Sequence, residues 1–259
     1  MAKLALVTGA SSGIGKELAK FHAQNKGDLI LVARSEDKLN QLKEQWEKEY
    51  GIQVTVLVKD LGTENGPREV YEEVKAQSLV VDYLINNAGF GGVGKFHERD
   101  WTQDRAMIQL NVVALVALTR YFLPDFVQRN SGKILNVSST ASLMAGPMQA
   151  VYFATKAFVT SFSNAIAEEL HDTKVTVTAL LPGATATEFG QVSGMSNTEL
   201  FKDPFPASGV AKDGYEAMLA GKLEVLSGLS FAQKAMMSML PLTPKKVLLP
   251  QIRKMQEPK

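Results

Sequence analysis

The stretch Thr8-Gly9-Ala10-Ser11-Ser12-Gly13-Ile14-Gly15 decides the fold. It follows a short apolar strand predicted over 3–7 and leads directly into a helix predicted over 12–24. Glycine lets a pyrophosphate approach the main chain, and the free N–H groups at a helix N-terminus favour negative charge. Strand, glycine turn and helix in this order suit a phosphate site. Because the spacing G-x-x-x-G-x-G differs from the common G-x-G-x-x-G, an ordinary glycine-rich turn stays open at this point.

The composition is that of an ordinary folded protein with a large core. The 259 residues are 45% hydrophobic and 21% charged, with a formal net charge of +1 and no cysteine. Near-zero charge without a basic stripe argues against nucleic-acid binding, and the lack of cysteine removes disulfides and thiolate chemistry. His22, His97 and His171 are far apart in sequence, so we expect no metal site. We also expect no signal peptide, no apolar run approaching the ~18 residues of a membrane span, and a cytoplasmic location.

Strand and helix patterns alternate along most of the chain. Further strands are predicted over 28–33, 52–58, 82–85, 132–137, 174–180 and 222–226, and helices over 36–50, 67–76, 104–128, 152–171 and 207–219. Near-continuous apolar strands separated by helices predict a doubly wound, Rossmann-type parallel sheet of about seven strands with helices on both faces. We predict one domain over 1–259, with a substrate lid over 184–222. Beyond it, a C-terminal extension over 229–259 is broken by prolines into short helices at most.

Several short motifs occur along the chain, and their order carries more information than any single motif. After Thr8 to Gly15 come Asp60-Leu61, Asn86-Asn87-Ala88-Gly89, Asn111, Ser139, Tyr152 with Lys156, and Pro182-Gly183 with Thr187. With this ordered set the chain resembles the classical short-chain dehydrogenases/reductases from residue 2 to about residue 226. The resemblance implies a nicotinamide-dependent oxidoreductase that moves a hydride between C4 of the cofactor and the carbonyl carbon of a ketone, aldehyde or alcohol. Homodimers and homotetramers are usual in the family, formed through the helices around 104–128 and 152–171.

Tyr152 and Lys156 are the proposed proton-transfer pair. Four residues apart on a helix, they project from one face, and a nearby ammonium is expected to lower the pKa of the phenol. A half-buried aromatic beside a solvated lysine would show the same spacing. The resemblance implies that Tyr152 exchanges a proton with the substrate oxygen and that Ser139, preferred by spacing over Ser138, hydrogen-bonds that oxygen.

Asn111 lies among apolar residues in a predicted helix. A buried amide satisfied by local hydrogen bonds is one reading. The resemblance implies another, in which a helix distortion holds a water that links Asn111 to Lys156 and passes protons to solvent.

Cofactor choice is read after the second strand. NAD-preferring relatives carry an acidic residue there, whereas this chain has Ala33 followed by Arg34 and Ser35. A cation favours the 2′-phosphate, so we predict NADP(H). The full predicted cofactor site comprises Gly9, Ser11, Ser12, Gly13, Ile14, Gly15, Arg34, Ser35, Asp60, Leu61, Asn87, Ala88, Gly89, Tyr152, Lys156, Pro182, Gly183, Thr185 and Thr187.

Two of these positions have simpler alternatives. By resemblance, Asp60 reaches the adenine amino group, while Pro182-Gly183 borders the nicotinamide and Thr187 bonds its carboxamide. An Asp can equally cap a turn, and a Pro-Gly can simply reverse the chain. A literal G-x-G-x-x-G at 89–94 lacks the acidic partner and helix start of a dinucleotide motif, so we interpret it as a loop over the cofactor.

The substrate is the least determined feature. Apolar residues lie in the stretches expected to line the pocket, which favours a small apolar carbonyl compound: Leu143, Met144, Met148, Phe189, Phe201 and Phe205. Met236, Met237 and Met239 are read as core or subunit contact rather than as a membrane-surface patch. A competing function is an NADP(H)-binding sensor or scaffold with little turnover. The set Asn111, Ser139, Tyr152 and Lys156 argues for an enzyme.

Overall fold

A parallel β-sheet forms the centre of the structure, a computed structural model that describes residues 2–195, 198, 201–240 and 243–257. Its strands are β1 (Leu4–Thr8), β2 (Asp28–Ala33), β3 (Val54–Val58), β4 (Tyr83–Asn86), β5 (Gly132–Val137), β6 (Val175–Pro182) and β9 (Glu224–Ser227). Their order is β3-β2-β1-β4-β5-β6-β9, and each adjacent pair is parallel. Two short strands, β7 (Thr185–Ala186) and β8 (Phe205–Pro206), pair separately within the predicted lid. The predicted doubly wound sheet is confirmed.

Helices cover both faces of this sheet. They are α1 (Gly13–Gln24), α2 (Glu36–Tyr50), α3 (Gly66–Ala76), α4 (Trp101–Ile108), α5 (Leu115–Gln128), α6 (Ala150–Glu169), α7 (Phe189–Val192), α8 (Ala207–Leu219), α9 (Phe231–Met239) and α10 (Lys245–Gln256). Side chains alternate along β1, so that Ala5 and Val7 pack with α1, α2 and α8, while Leu6 packs with α3, α5 and α6. Period-two alternation between two apolar layers explains why these strands are apolar on both faces.

The strand order reverses between β1 and β4. β2 and β3 extend the sheet to one side of β1, whereas β4, β5, β6 and β9 extend it to the other. Loops leaving the carboxyl ends of β1 and β4 therefore diverge and open a crevice, which is where doubly wound folds bind their ligands. The glycine turn after β1 and the Asn87 segment after β4 border this crevice.

Two expectations about the helices are corrected. The helical stretch Trp101–Gln128 has the length and apolar composition of a membrane-spanning helix, contrary to the expectation that no segment approaches them. Its Phe122 and Phe126 are buried against the sheet, as in the core helix of a folded domain. At the other end of the chain, α10 spans twelve residues with Pro250 inside it. The proline removes one backbone hydrogen bond, and burial of Ile252 and Gln256 on the same helix offsets that loss.

Parts of two predicted regions cannot be compared with the structure. Residues 196–197 and 199–200 of the predicted lid lie outside the described residues. So do 241–242 and 258–259 of the predicted C-terminal extension.

Candidate active site

One cavity of about 1360 Å³ opens at the carboxyl ends of the strands. Nearly all the residues predicted for the cofactor and for catalysis line it. These are Gly9, Ser11, Ser12, Gly13, Ile14, Arg34, Ser35, Asp60, Leu61, Asn87, Ala88, Gly89, Ser139, Tyr152, Lys156, Pro182, Gly183, Thr185 and Thr187. Gly15 and Asn111 do not line the cavity. The fold thus brings together motifs that are up to 178 positions apart in sequence, from Gly9 to Thr187.

The glycine turn leaves an open helix N-terminus at the cavity. α1 begins at Gly13, its N-cap Ser12 makes no side-chain capping bond, and its first turn contains no acidic residue. Free N–H groups and the helix dipole are thus available to an anion. Gly9 has φ +63°, and a Cβ there would lie 2.8 Å from Asn87 Nδ2. These residues fit a pyrophosphate, since the turn is shaped for close approach to the main chain and carries no opposing charge.

Gly15 serves packing rather than contact with the cavity. A Cβ on Gly15 would collide with the Asn87 amide and the Gly9 carbonyl. Asn87 Nδ2 donates to the Thr8 carbonyl at 2.9 Å, and the backbone N–H groups of Asn87 and Ala88 donate to Thr8 Oγ1 at 2.9 and 3.0 Å. The ends of β1 and β4 are thereby tied together under the glycine turn. This role of Thr8 was not predicted from sequence. Its position at the start of the glycine motif, at the end of β1, was the signal that could have indicated it.

The cavity edge beyond β2 is rich in cations. Arg34 is exposed and forms no ion pair with a described residue. Lys38 and Lys59 also line the cavity and were missed from sequence. Lys38 lies 3.3 Å from Glu188, and Lys59 lies 3.4 Å from each of two glutamates of α3. Their positions, four residues after Arg34 and just before Asp60, were the signals that could have found them. Of these three cations, Arg34 alone lacks an ion-pair partner among the residues that the structure describes.

Asp60 fills the turn-capping role considered from sequence and also lines the cavity. Its Oδ1 accepts a hydrogen bond from the Gly62 N–H at 2.8 Å, and its backbone carbonyl accepts from Thr63 Oγ1 at 3.0 Å. The carboxylate therefore caps the turn after β3. It also lines the cavity, where an exposed oxygen can accept from a ligand. The role in adenine recognition stays a prediction.

The two serines after β5 have different surroundings. Ser138 is buried, and its Oγ donates to the Lys156 carbonyl at 2.9 Å and lies 2.7 Å from Thr160 Oγ1. Ser139 Oγ accepts from the Ala141 N–H at 3.1 Å and donates to the Pro182 carbonyl at 3.5 Å, and its hydroxyl acts to lower the pKa of Tyr152. Ser138 thus fixes α6 against the sheet, whereas the hydroxyl of Ser139 faces the phenol of Tyr152.

Burial controls the protonation of Tyr152 and Lys156. It raises the pKa of Tyr152 to about 12, against the opposing effect of the Ser139 hydrogen bond. It also lowers the pKa of Lys156 to about 8. Lys156 Nζ donates to the Val137 carbonyl at 2.8 Å and lies 5.9 Å from the centre of the Tyr152 ring. The sequence-based expectation of a lowered tyrosine pKa is corrected, because desolvation by burial is the largest cause and raises this pKa. Both groups are protonated at pH 7.

Asn111 lies in a π-helical turn, Gln109–Ala114, between α4 and α5. Its Oδ1 accepts from the Phe90 N–H at 3.0 Å, and its Nδ2 donates to the Phe90 carbonyl at 2.9 Å and to Thr155 Oγ1 at 3.1 Å. The helix distortion that the resemblance implies is therefore present, and such turns are common at functional sites. The side chain itself holds the loop after β4 against α6. The proton-relay role stays a prediction.

The segment after β6 closes the cavity from above. Thr187 lies directly over the glycine turn, since its Cγ2 would be 3.1 Å from a Cβ on Gly13. The Phe189 ring follows, 5.4 Å from the Tyr152 ring and 6.3 Å from the Phe201 ring, measured between centres. An apolar lid therefore packs next to the phenol.

The prediction of pocket-lining apolar residues is only partly right. Met144, Phe189 and Phe201 line the cavity, whereas Leu143, Met148 and Phe205 do not. Phe205 packs on the backbone of Gly209 and Gly228. Met148 adopts φ +71°, and its carbonyl accepts from the Gly94 N–H. Phe205 and Met148 therefore stabilise loop structure and do not face the cavity. Leu143 ends a short 3-10 helix, Thr140–Leu143, directly before the lining residue Met144.

Comparison with known proteins agrees with this geometry. The sequence profile of the short chain dehydrogenases matches residues 3–196. The chain belongs to the short-chain dehydrogenase family. It is therefore a nucleotide-binding oxidoreductase of that family with a Rossmann fold, as predicted.

Individual short-chain dehydrogenases resemble the chain over most of its length. The very-long-chain 3-oxoacyl-CoA reductase of Anas platyrhynchos is 30% identical over 226 residues, which cover 85% of this chain and 71% of the relative. A short-chain dehydrogenase from Sphingobium yanoikuyae, solved in complex with NADPH, has a TM-score of 0.83 and 29% identity and covers 98% of both chains. The bulky-bulky ketone specific alcohol dehydrogenase from Comamonas testosteroni has a TM-score of 0.80 and 26% identity and covers 95% of this chain and 93% of its own.

Proposed function

We propose that the protein is an NADP(H)-dependent carbonyl reductase or alcohol dehydrogenase that acts on an apolar ketone, aldehyde or secondary alcohol. The observation that carries the proposal is one cavity lined by Ser139, Tyr152 and Lys156, with the Lys156 ammonium 5.9 Å from the centre of the Tyr152 ring. The same cavity is lined by the glycine turn at the open N-terminus of α1, which can receive a phosphate. When bound, the nicotinamide supplies or accepts the hydride.

The protein residues would position the substrate and handle its proton. Ser139 donates a hydrogen bond to the substrate oxygen and polarises the carbonyl. Tyr152, protonated at pH 7, gives its proton to that oxygen as negative charge develops. The buried ammonium of Lys156 would stabilise the phenolate that results, and the family resemblance gives it the further role of holding the cofactor ribose. A protonated tyrosine favours the direction of carbonyl reduction, since the alcohol-oxidising direction needs the phenolate.

NADP(H) is proposed over NAD(H) because of the charge beside β2. Arg34 offers a planar fork of donors to a 2′-phosphate, with Ser35 adjacent, and no carboxylate occupies the end of the strand. The NADPH held by the Sphingobium yanoikuyae relative is consistent with this assignment. A Kd for NADH equal to or tighter than that for NADPH would overturn it.

Replacement of Tyr152 by Phe tests the mechanism. The ring and its packing on Phe189 are kept, while the proton donor is lost, so we expect turnover of model ketones to fall by about 10²–10⁴-fold. NADPH affinity should change little, which fluorescence titration would check. Turnover like that of the wild type would contradict the mechanism. Tight NADPH binding by the wild type without reduction of any ketone or aldehyde in a broad panel would favour the sensor function.

We also propose a homodimer or homotetramer. Trp101 and Val113 in the α4–α5 region and Phe158 on α6 are large apolar side chains that are exposed in the single chain. They lie on the helices that the family resemblance assigns to subunit contact, and burying them would remove apolar area from water. Light scattering tests this: replacing Trp101 and Phe158 by Arg should lower the measured mass. A wild type that is monomeric at micromolar concentration would refute it.

A further inference from the structure

The cavity has a wall that the proposed chemistry does not require. It is formed by α9 and α10, and we call its members the C-terminal wall: Ala232, Ala235, Met236, Met237, Met239, Leu240, Thr243, Leu248, Gln251, Ile252, Met255 and Gln256. Ligand pockets usually have volumes of roughly 300–1,000 Å³. At about 1360 Å³ this cavity exceeds that range. The predicted cofactor site takes part of this volume, and the part beside the C-terminal wall is bounded by residues that play no part in proton transfer.

Both helices turn one uncharged, mostly apolar face towards the cavity. On α9, Ala232, Ala235, Met236 and Met239 recur at spacings of three and four, and all line it. On α10 the same spacing places Leu248, Gln251, Ile252, Met255 and Gln256 on the cavity side. A shared helical face at the cavity means that the amphipathic pattern is directed inward.

The charges of these helices lie elsewhere. Lys234 of α9 and Lys245, Lys246, Arg253 and Lys254 of α10 are exposed, and none of them lines the cavity. Within the described parts of α9 and α10, the cavity therefore meets only apolar side chains and neutral glutamines. Such a wall disfavours a charged ligand group and favours hydrocarbon.

Two methionine side chains of the C-terminal wall are partly exposed to water. Met236 is 51% exposed and Met255 is 42% exposed, although both line the cavity. A ligand that covers them removes apolar area from water, which is favourable in proportion to that area. Methionine is unbranched and flexible, so it can follow the outline of a mobile chain better than a rigid one.

The wall is anchored beside the catalytic helix. Gln149 Nε2 donates to Gln256 Oε1 at 2.8 Å and lies 3.2 Å from Met195 Sδ, and both glutamines are buried. Gln149 is the N-cap of α6, three residues before Tyr152. This bond fixes the end of α10 at the mouth of the reactive site. A chain extending from a carbonyl held at Tyr152 therefore meets the wall.

We infer that the C-terminal wall binds a long, uncharged, flexible alkyl chain attached to the reacting carbonyl, and that Met236 and Met255 set the preference for chain length. The inference rests on the proposed function for the placement of the carbonyl. The binding of the chain itself does not depend on turnover.

Equilibrium binding of a ketone series tests the inference. Isothermal titration of the full chain with 2-butanone, 2-hexanone, 2-octanone and 2-decanone, with and without NADP⁺, measures Kd without any reaction. Full burial of a methylene is worth ~0.8 kcal/mol, so Kd is expected to fall by up to about four-fold for each added CH₂. NADPH turnover on the same ketones, measured separately, tests the proposed function.

Two variants and a matched control locate the chain. Met236→Lys and Met255→Lys put a charge on the wall and should flatten the dependence of Kd on chain length, with the 2-butanone value unchanged. Val247→Lys adds the same charge to α10 at a residue that is 54% exposed and does not line the cavity, so the dependence should persist. A Kd independent of chain length in the wild type, or equal flattening by Val247→Lys, would overturn the inference. A Kd that depends on chain length, without NADPH turnover on any of these ketones, would support the alkyl-chain inference and refute the proposed reductase function.

Discussion

Arg34 offers the sharpest test of how the cofactor is chosen. It follows β2, lines the cavity and forms no ion pair with a described residue. Its neighbours differ in this respect, since Lys38 faces Glu188 and Lys59 faces two glutamates of α3. We therefore expect Arg34→Ala to weaken NADPH and to leave NADH nearly unaffected, because only NADPH carries the 2′-phosphate.

The magnitude follows from the exposure of Arg34. Hydrogen bonds to charged groups contribute about 1.5–3 kcal/mol, and solvent screening places an exposed guanidinium at the lower end. A loss of about 1.5 kcal/mol raises Kd roughly ten-fold. The effect should shrink at high ionic strength, where charges near the surface are screened within about 3 Å at 1 M salt.

Fluorescence titration with both reduced cofactors measures this selectivity. Arg34→Lys keeps the charge and loses the planar fork, so it should lie between the wild type and Arg34→Ala. Lys38→Ala is the matched control, since its charge is already engaged by Glu188, and it should weaken NADPH much less. Equal weakening of NADH and NADPH by Arg34→Ala, or no change in either Kd, would refute the reasoning.

Four further predictions concern pH, stability and backbone shape. Because burial lowers the pKa of Lys156 to about 8, kcat/KM for ketone reduction should be flat at lower pH and fall as pH rises through that value, which a pH–rate profile would show. Burial also lowers the pKa of His22, so the free energy of unfolding should decrease as pH falls below ~6.5, whereas a pH-independent urea midpoint between pH 7.5 and 5.5 would contradict this. Tyr215→Phe removes the 2.8 Å partner of His22 and should cost about 1–3 kcal/mol by urea unfolding at pH 7.5. Gly9→Ala should raise the Kd of the cofactor, while Gly51→Ala, also at positive φ but with nothing within 4 Å of the added Cβ, should not; equal effects of the two variants would argue against close approach at the glycine turn.

The sequence predicted the sheet because its signals are local. Apolar strands, the glycine turn and the alternating helices depend on residues close together in the chain, and all appear in the structure near their expected positions. The prediction failed where distant packing decides the outcome. α10 continues through Pro250 because Ile252 and Gln256 are buried, and no local pattern announces that burial.

The site divides in the same way. Ordered motifs were sufficient to name many of the residues that line one cavity, since most of the motifs follow a strand and the carboxyl ends of parallel strands meet at one edge. Spacing favoured Ser139 over Ser138, but it could not show that the Ser138 hydroxyl is bonded to the Lys156 carbonyl and to Thr160 of α6. It also could not predict the raised pKa of Tyr152, because desolvation depends on every element that covers the ring.

The sequence by itself therefore determined the fold class, the family and most of the predicted residues that line the cavity. Tertiary structure alone decided the protonation of Tyr152 and Lys156 and the placement of α9 and α10 on the cavity. It also decided that Lys38 pairs with a glutamate while Arg34 has no ion-pair partner among the described residues. The physical reason is the separation in sequence between the residues that determine each property. Secondary structure and motifs follow from neighbouring residues, whereas burial, charge pairing and cavity shape arise only when segments distant in sequence come into contact.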